Sequence, residues 1–170
     1  TFGCNSTLGT CTSGCTDAGA CNYDALATLD DGSCDFTGVV PANDICDTAE
    51  ALVCNTVTTG STGGATILGS PLGVVGCEAD PGAGVWYSFV GDGQLHNLST
   101  CGSAIDSKIN IYTAATDCGG GFTCFDHMAT SDGTGTCTLF DDNDVNFEFI
   151  STVGTLYYVL VGSEGASGAF

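Results

Sequence analysis

The sequence predicts an all-β fold: a jelly-roll-like antiparallel β-sandwich with a small disulfide-stapled N-terminal appendage. Three observations carry that expectation. The stretch Gly84–Val90, GVWYSFV, holds the only tryptophan and alternates strictly, with Val85, Tyr87 and Phe89 on one face and Trp86, Ser88 and Val90 on the other. Such alternation, rich in aromatic and β-branched residues and closed by glycines at both ends, is the pattern of a half-buried strand. Later runs of the same character (Leu95–Ser99, Lys108–Thr113, Val145–Ile150 and Leu156–Val161) are its expected partners, which makes Gly84–Val90 a central strand. Finally, 26 glycines and long runs of Thr, Ser, Asn and Asp leave little room for helix.

A chain of 170 residues is one ordinary domain plus a short extension, divided here as 1–38 and 39–170. Lacking an initiator Met and a signal peptide, it reads as a processed, mature chain. No apolar run approaches the roughly 20 residues of a membrane span. Twenty acidic residues stand against one lysine, Lys108, and the net charge is −19. Binding a phosphate backbone or an anionic membrane needs Lys and Arg, so nucleic acid and membrane surfaces are excluded as partners. Cations are the natural counter-species. The twelve cysteines include no C-x-x-C pair, and His96 and His127 fall outside any ligand-like spacing. Zinc is therefore disfavoured and disulfides in an oxidising, extracellular setting are expected.

Residues Thr1–Phe36 carry five cysteines and hardly any large apolar run, so the segment needs staples to fold. Asp24, Asp30 and Asp31, with Asp17 and Asn22, place hard oxygen ligands on a tight loop, the donor set calcium prefers. The competing reading is turn chemistry, with Asp and Asn present for Asx-turns. Gly14–Cys34, GCTDAGACNYDALATLDDGSC, resembles a cysteine-rich repeat, GCTDxxACNYxxxAxxDDGSC, of large secreted and cell-surface bacterial proteins.

Past a junction at Thr37–Pro41, NDICDTAEALVC (Asn43–Cys54) predicts a short helical stretch capped by Asn43 or Asp44. Cys46 and Cys54 are expected to bridge across it. Asn55–Thr66 predicts an exposed edge strand with a turn at Gly63–Gly64. Cys118 and Cys124, flanking Gly119–Gly121, are expected to form a second local disulfide in a loop that also holds His127. His96 and His127 are both expected at the surface. With five cysteines in the first segment and seven in the remainder, complete pairing requires a bond between the segments or between chains.

Asp141, Asp142 and Asp144 form a second acidic cluster, either a calcium site or an acidic hairpin loop. Asn5 and Asn97 head N-x-S/T sequons, and Asp47-Thr48-Ala49 resembles a bacterial O-glycosylation site at Thr48; unmodified surface residues are the alternative for all three. Trp86, Tyr87, Tyr112, Tyr157 and Tyr158 suit a sugar-stacking platform or a core, and core is the expected fate of most of them.

The ordered series NDICDTAEALVC, GVWYSFVGDGQ, LSTCGSAIDSKINIYTA, CGGGFTC and GTLYYVLVGSEGASGAF resembles the bacterial pre-peptidase C-terminal (PPC) type of domain across Asn43–Phe170. That resemblance implies a jelly-roll sandwich without catalytic residues, used as an accessory, binding or stalk module. Members continue past the final G-x-F with another β-forming stretch, whereas this sequence stops at Gly168-Ala169-Phe170, which implies an open edge. No G-x-S-x-G elbow or base–nucleophile constellation is visible, so no enzyme is expected. The expected function is that of a secreted structural or adhesive surface module, an acidic glycoprotein binding calcium, that self-assembles head to tail into an extracellular filament. The alternative is a carbohydrate-binding accessory module of a secreted hydrolase.

Overall fold

The computed structural model describes residues 12–16, 24–31, 33, 39–67, 70–78, 81–114, 118, 121–129 and 144–170. The chain forms two compact units, Thr1–Val39 and Val40–Phe170. In the first, β1 (Ser13–Gly14) pairs in parallel with β2 (Leu29–Asp30). Asx geometry shapes the chain around them: Asp24 Oδ1 accepts the Leu26 amide at 2.9 Å. Asp31 accepts the Ser33 amide at 3.0 Å through Oδ1 and the Ser13 hydroxyl at 2.9 Å through Oδ2. Bonds from Ser33 and then Ser13 favour the ionised form, and they hold the Asp31 carboxyl below the usual carboxylate range.

The second unit is an all-β sandwich. It contains β3 (Glu50–Ala51), β4 (Gly84–Val90), β5 (Leu95–Ser99), β6 (Ser107–Ala114), β7 (Phe122–Ala129), β8 (Asn146–Ile150) and β9 (Leu156–Ser163). One sheet runs β3-β4-β9-β6-β7, and β5 and β8 form a second, two-stranded layer. At the centre lies β9, antiparallel to β4 and to β6. Its continuous apolar run, Tyr157 to Val161, is buried throughout, as a strand covered on both faces requires.

The alternation in β4 sorts its side chains between two cores. Val85 and Tyr87 join Ile109, Ile111, Tyr157, Val159 and Val161 facing the second layer, which contributes Phe149, Phe147 and Leu98. On the opposite face Trp86 packs with Tyr112, Tyr158 and Leu160. All five candidate platform aromatics are therefore core residues, none more than 5% exposed. Lys108 also lies on this second face and is itself buried. Gly162 and Gly82 lie against it: a Cβ on Gly162 would come within 3.3 Å of the lysine Cε, and one on Gly82 within 3.7 Å of its Nζ. Bare glycines thus make room for the one cationic side chain, whose Nζ donates to Glu78 Oε1 at 3.2 Å.

Four local expectations are corrected. Helix forms only as a 3-10 turn, Cys46–Thr48. Its expected caps are engaged elsewhere: Asn43 donates its amide to the Trp86 carbonyl at 2.9 Å, and Asp44 accepts from Thr66. Glu50 and Ala51 instead pair in parallel with Tyr87 and Ser88, so β4 has one partner that precedes it. Asn55–Thr66 forms no strand; it contributes a bridge between Ser61 and Ala169, although the turn at Gly63–Gly64 is present. Phe122–Ala129, read as loop, is strand β7 with a bulge opposite Ile111/Tyr112. Phe122 stacks on Trp86 on one face of the sheet, while Phe125, three residues on and so on the other face, packs against Phe149 and Tyr157.

Both expected disulfide pairings are also replaced. Cys46 bonds to Cys118 and Cys77 to Cys124, with Cα separations of 5.6 and 5.3 Å. After the 3-10 turn the chain runs extended through β3, which carries Cys54 roughly 15 Å onward, beyond the reach of one bridge. Cys54 is free and exposed. Cys118 and Cys124 cannot pair with each other because Cys124 sits within a strand facing Cys77 while Cys118 packs over the Trp86 core. Cys15 in the first unit and Cys101 in the second each belong to a further disulfide.

Tyr112 is wholly buried, and its hydroxyl has no hydrogen-bond partner among the described residues. Burial, and then the nearby Glu78 carboxylate, push its phenol pKa far above the usual value. The neutral form is favoured by folding, so this contribution is intact below pH about 10 and is lost as pH rises above it. Tyr112→Phe is expected to flatten the fall of melting temperature above pH 10. At neutral pH it should stabilise by about 1 kcal/mol, because an unmet hydroxyl is removed. An unchanged alkaline profile, or a clear loss at pH 7, would contradict this account.

Candidate functional site

Among the described residues, a groove opens in the second layer of the sandwich. Five strands at about 4.8 Å spacing span roughly 19 Å, and two facing strands cannot cover that width. The uncovered part encloses about 710 Å³. Its floor is Tyr87, Ile109, Val159 and Val161, its ends are Phe89 and Phe170, and its walls are β5 and the segment 52–58. The floor is deep, with each of its four residues at most 5% exposed. The rim is apolar and open to solvent: Val57 is 93% exposed, Val53 65% and Leu95 62%.

Both walls carry backbone groups with no partner among the described residues. Thr100 donates to the Val145 carbonyl at 2.8 Å and Ser151 donates to that of Gln94 at 3.0 Å, continuing the β5–β8 register. Antiparallel alternation then turns the amides and carbonyls of Leu95, Asn97 and Ser99 away from β8 toward the groove. On the other wall, Thr56 closes a turn onto Val53, with Asn55 at a φ of 62°. Backbone bonds resume at Gly60, which exchanges two with Phe170, at 3.1 and 3.0 Å. Between these points the backbone of Val57, Thr58 and Thr59 has no partner among the described residues.

Among the described residues that line this groove, one is acidic, Asp92. Asp92 Oδ1 lies 2.9 Å from His96 Nε2. The Gln94 amide, and then His96, hold the Asp92 carboxyl below the usual carboxylate range. His96 is not the surface residue expected: its side chain is 11% exposed, packed against Phe89 and Phe149. Alternation turns it inward from β5, and Asp92 satisfies its ring nitrogen. Cys54, the free thiol, lines the outer wall.

The other candidate residues are dispersed. Asp24 and Asp31 commit carboxylate oxygens to local hydrogen bonds, and Asp30 lies on β2. Asp144 accepts the Gly102 amide at 2.7 Å through Oδ2, while its buried Oδ1 has no partner among the described residues. Asp141, Asp142 and Asn5 lie outside the described residues. Thr48 is exposed on the 3-10 turn, its hydroxyl donating to the Ile45 carbonyl at 3.1 Å. Asn97 is exposed on β5, its amide donating to Asn146 Oδ1 at 2.7 Å. The ligand-like atoms of Cys77, Cys124 and His127 lie within 4.8 Å of one another, but both sulfurs are consumed by the disulfide, and a thiolate is what a metal needs.

Sequence reasoning expected an open edge but did not name β5 or the segment 52–58 as its borders. Phe170 exchanges hydrogen bonds with Gly60 and sets its ring edge-on to Tyr87, 6.2 Å between centroids. The available signal was the imbalance between apolar strands on the Tyr87 face and those able to cover it. Comparison with protein-family models, curated proteins and solved structures returned no match. Among the described residues, no helix is long and apolar enough to cross a membrane.

Proposed function

We propose that this chain is an extracellular, non-catalytic structural module of a bacterial surface that associates with copies of itself. One observation carries the reading: a β-sandwich whose second layer is open along a groove, with backbone on both walls that has no partner among the described residues. An edge of that kind is a template for strand pairing, which natural proteins otherwise block. Disulfides between residues 72 and 47 positions apart fit an oxidising compartment. The resemblances to a cysteine-rich surface repeat and to PPC-type sandwiches point the same way. Filling one molecule's groove from the next is a heterologous contact, and repetition gives a filament unless the rotation closes a ring.

Sedimentation and electron microscopy of the purified chain test the reading, with long assemblies expected. A monomer retarded on polysaccharide gels would replace it with the carbohydrate-binding alternative. The burial of Trp86 and the four candidate tyrosines favours self-association, since a sugar platform needs accessible ring faces.

Calcium belongs to this reading as the counter-ion of a chain whose lysine is already paired with Glu78. At 100 times Kd a bound ion stabilises by about 2.7 kcal/mol. The melting temperature is therefore expected to fall several degrees in chelator at low salt. Identical melting curves with and without chelator would remove calcium from the account.

A further inference from the structure

We propose that the occupant of the groove is the segment Phe2–Leu8 of a second copy of this chain, added as a strand along β5. The proposal rests on the self-association argued above and names its donor, its acceptor edge and its inward face. On the acceptor side, Leu95, Asn97 and Ser99 present outward backbone groups at every second residue, the spacing at which an added strand forms its bonds. The opposite wall, Val57 to Thr59, offers backbone groups of its own. A strand seated between them would close the second layer and cover Val57 and Leu95, both now exposed.

The donor is chosen by charge and period. A groove with a single carboxylate, paired to His96, accepts an uncharged strand. Thr1–Thr12, TFGCNSTLGTCT, contains no charged residue; among the described residues, comparable uncharged runs already belong to the strands and loops of the sandwich. Its period of two puts Phe2, Cys4, Ser6 and Leu8 on one face, and Gly3, Asn5 and Thr7 on the other. The first face supplies two large apolar side chains for the floor formed by Tyr87, Ile109, Val159 and Val161. The second leaves polar and small residues at the surface. Seven residues extended span roughly 23 Å, enough to run the length of the five-residue β5.

The test uses the full chain and three variants, each followed by sedimentation, electron microscopy and amide hydrogen exchange. Asn97→Pro removes an N–H that faces the groove while sparing the β5–β8 ladder, a position where an edge strand tolerates proline. Phe2→Asp and Leu8→Asp put charge on the inward face of the donor and leave the sequence of the sandwich unchanged. The wild-type chain is expected to assemble and to slow exchange at Leu95, Asn97 and Ser99 by on the order of a hundredfold relative to monomer. All three variants are expected to stay monomeric, with Asn97→Pro still showing a cooperative melting transition. Assemblies in which the β5 amides exchange as fast as in monomer, or which Asn97→Pro forms as readily as wild type, overturn the groove as acceptor and leave self-association standing. Assembly unaffected by Phe2→Asp and Leu8→Asp overturns the donor alone. Protection of β5 in a monomer places the occupant within the same chain, or identifies a bound small molecule, and overturns the second copy. A wild-type chain that never assembles overturns both this inference and the function beneath it.

Discussion

Replacing Cys46 and Cys118 together by alanine is expected to lower the melting temperature of the sandwich by on the order of 15 °C, more than the same change at Cys77 and Cys124. The bond joins residues 72 positions apart. In the chain-entropy model, closing a loop of that length removes about 4 kcal/mol of freedom from the unfolded state. For a unit of this size each kcal/mol is worth roughly 4 °C. The location adds to the effect, since Cys46 is buried against Trp86 and Cys118 packs on the same cluster. Calorimetry of the double variant beside the parent checks the figure. A fall of only a few degrees would mean that the 3-10 turn holds its place without the bond, and that the unfolded chain is already compact.

Trp86→Ala is expected to cost about 4 kcal/mol, read as a lower urea midpoint at an unchanged slope. Trp86 is fully buried on the interior strand β4, stacked on Phe122 at 5.4 Å and tilted against Tyr112 at 5.8 Å. Removing the indole leaves a cavity between elements that cannot collapse, because Cys46–Cys118 and Cys77–Cys124 pin the segments above it. The indole N–H has no partner among the described residues, so its removal returns part of the loss. A change below about 1 kcal/mol would show that the site refills, contrary to the pinned geometry.

The contrast with Tyr112→Phe locates the energetics. These two neighbouring rings both carry an unmet polar group, yet deleting one ring should be costly and deleting only the other's hydroxyl should help. Stability on this face of the sheet therefore comes from apolar area and covalent staples rather than from polar bonds. The opposite face serves the groove, where Tyr87, Val159 and Val161 form a floor beneath an open layer.

Alternation was legible at β4, β5 and β9 because strand periodicity is a local property. GVWYSFV reads the same from its own seven residues as from the finished sandwich, and Leu95–Ser99 starts and stops where the pattern says. The all-β class and the poverty of helix follow from composition for the same reason. Two local patterns misled. Asn43–Cys54 has helical composition, but Asn43 and Asp44 make tertiary bonds to Trp86 and Thr66, and Glu50–Ala51 gains a sheet edge. Glycines and cysteines disguised β7 as a loop, although Phe122 and Cys124 already alternate.

By itself, then, the sequence determined which segments are extended, which side chains share a face, and that the chain is acidic and cysteine-rich. Tertiary structure alone decided which cysteines meet, that Cys54 remains free, that Lys108 lies over glycines, and that β5 keeps an open edge among the described residues. The division has one physical cause. A face is set by residues two apart, whereas a disulfide partner or an unpaired edge is set by the order of strands in the sheet, and nothing within ten residues of Cys46 refers to Cys118.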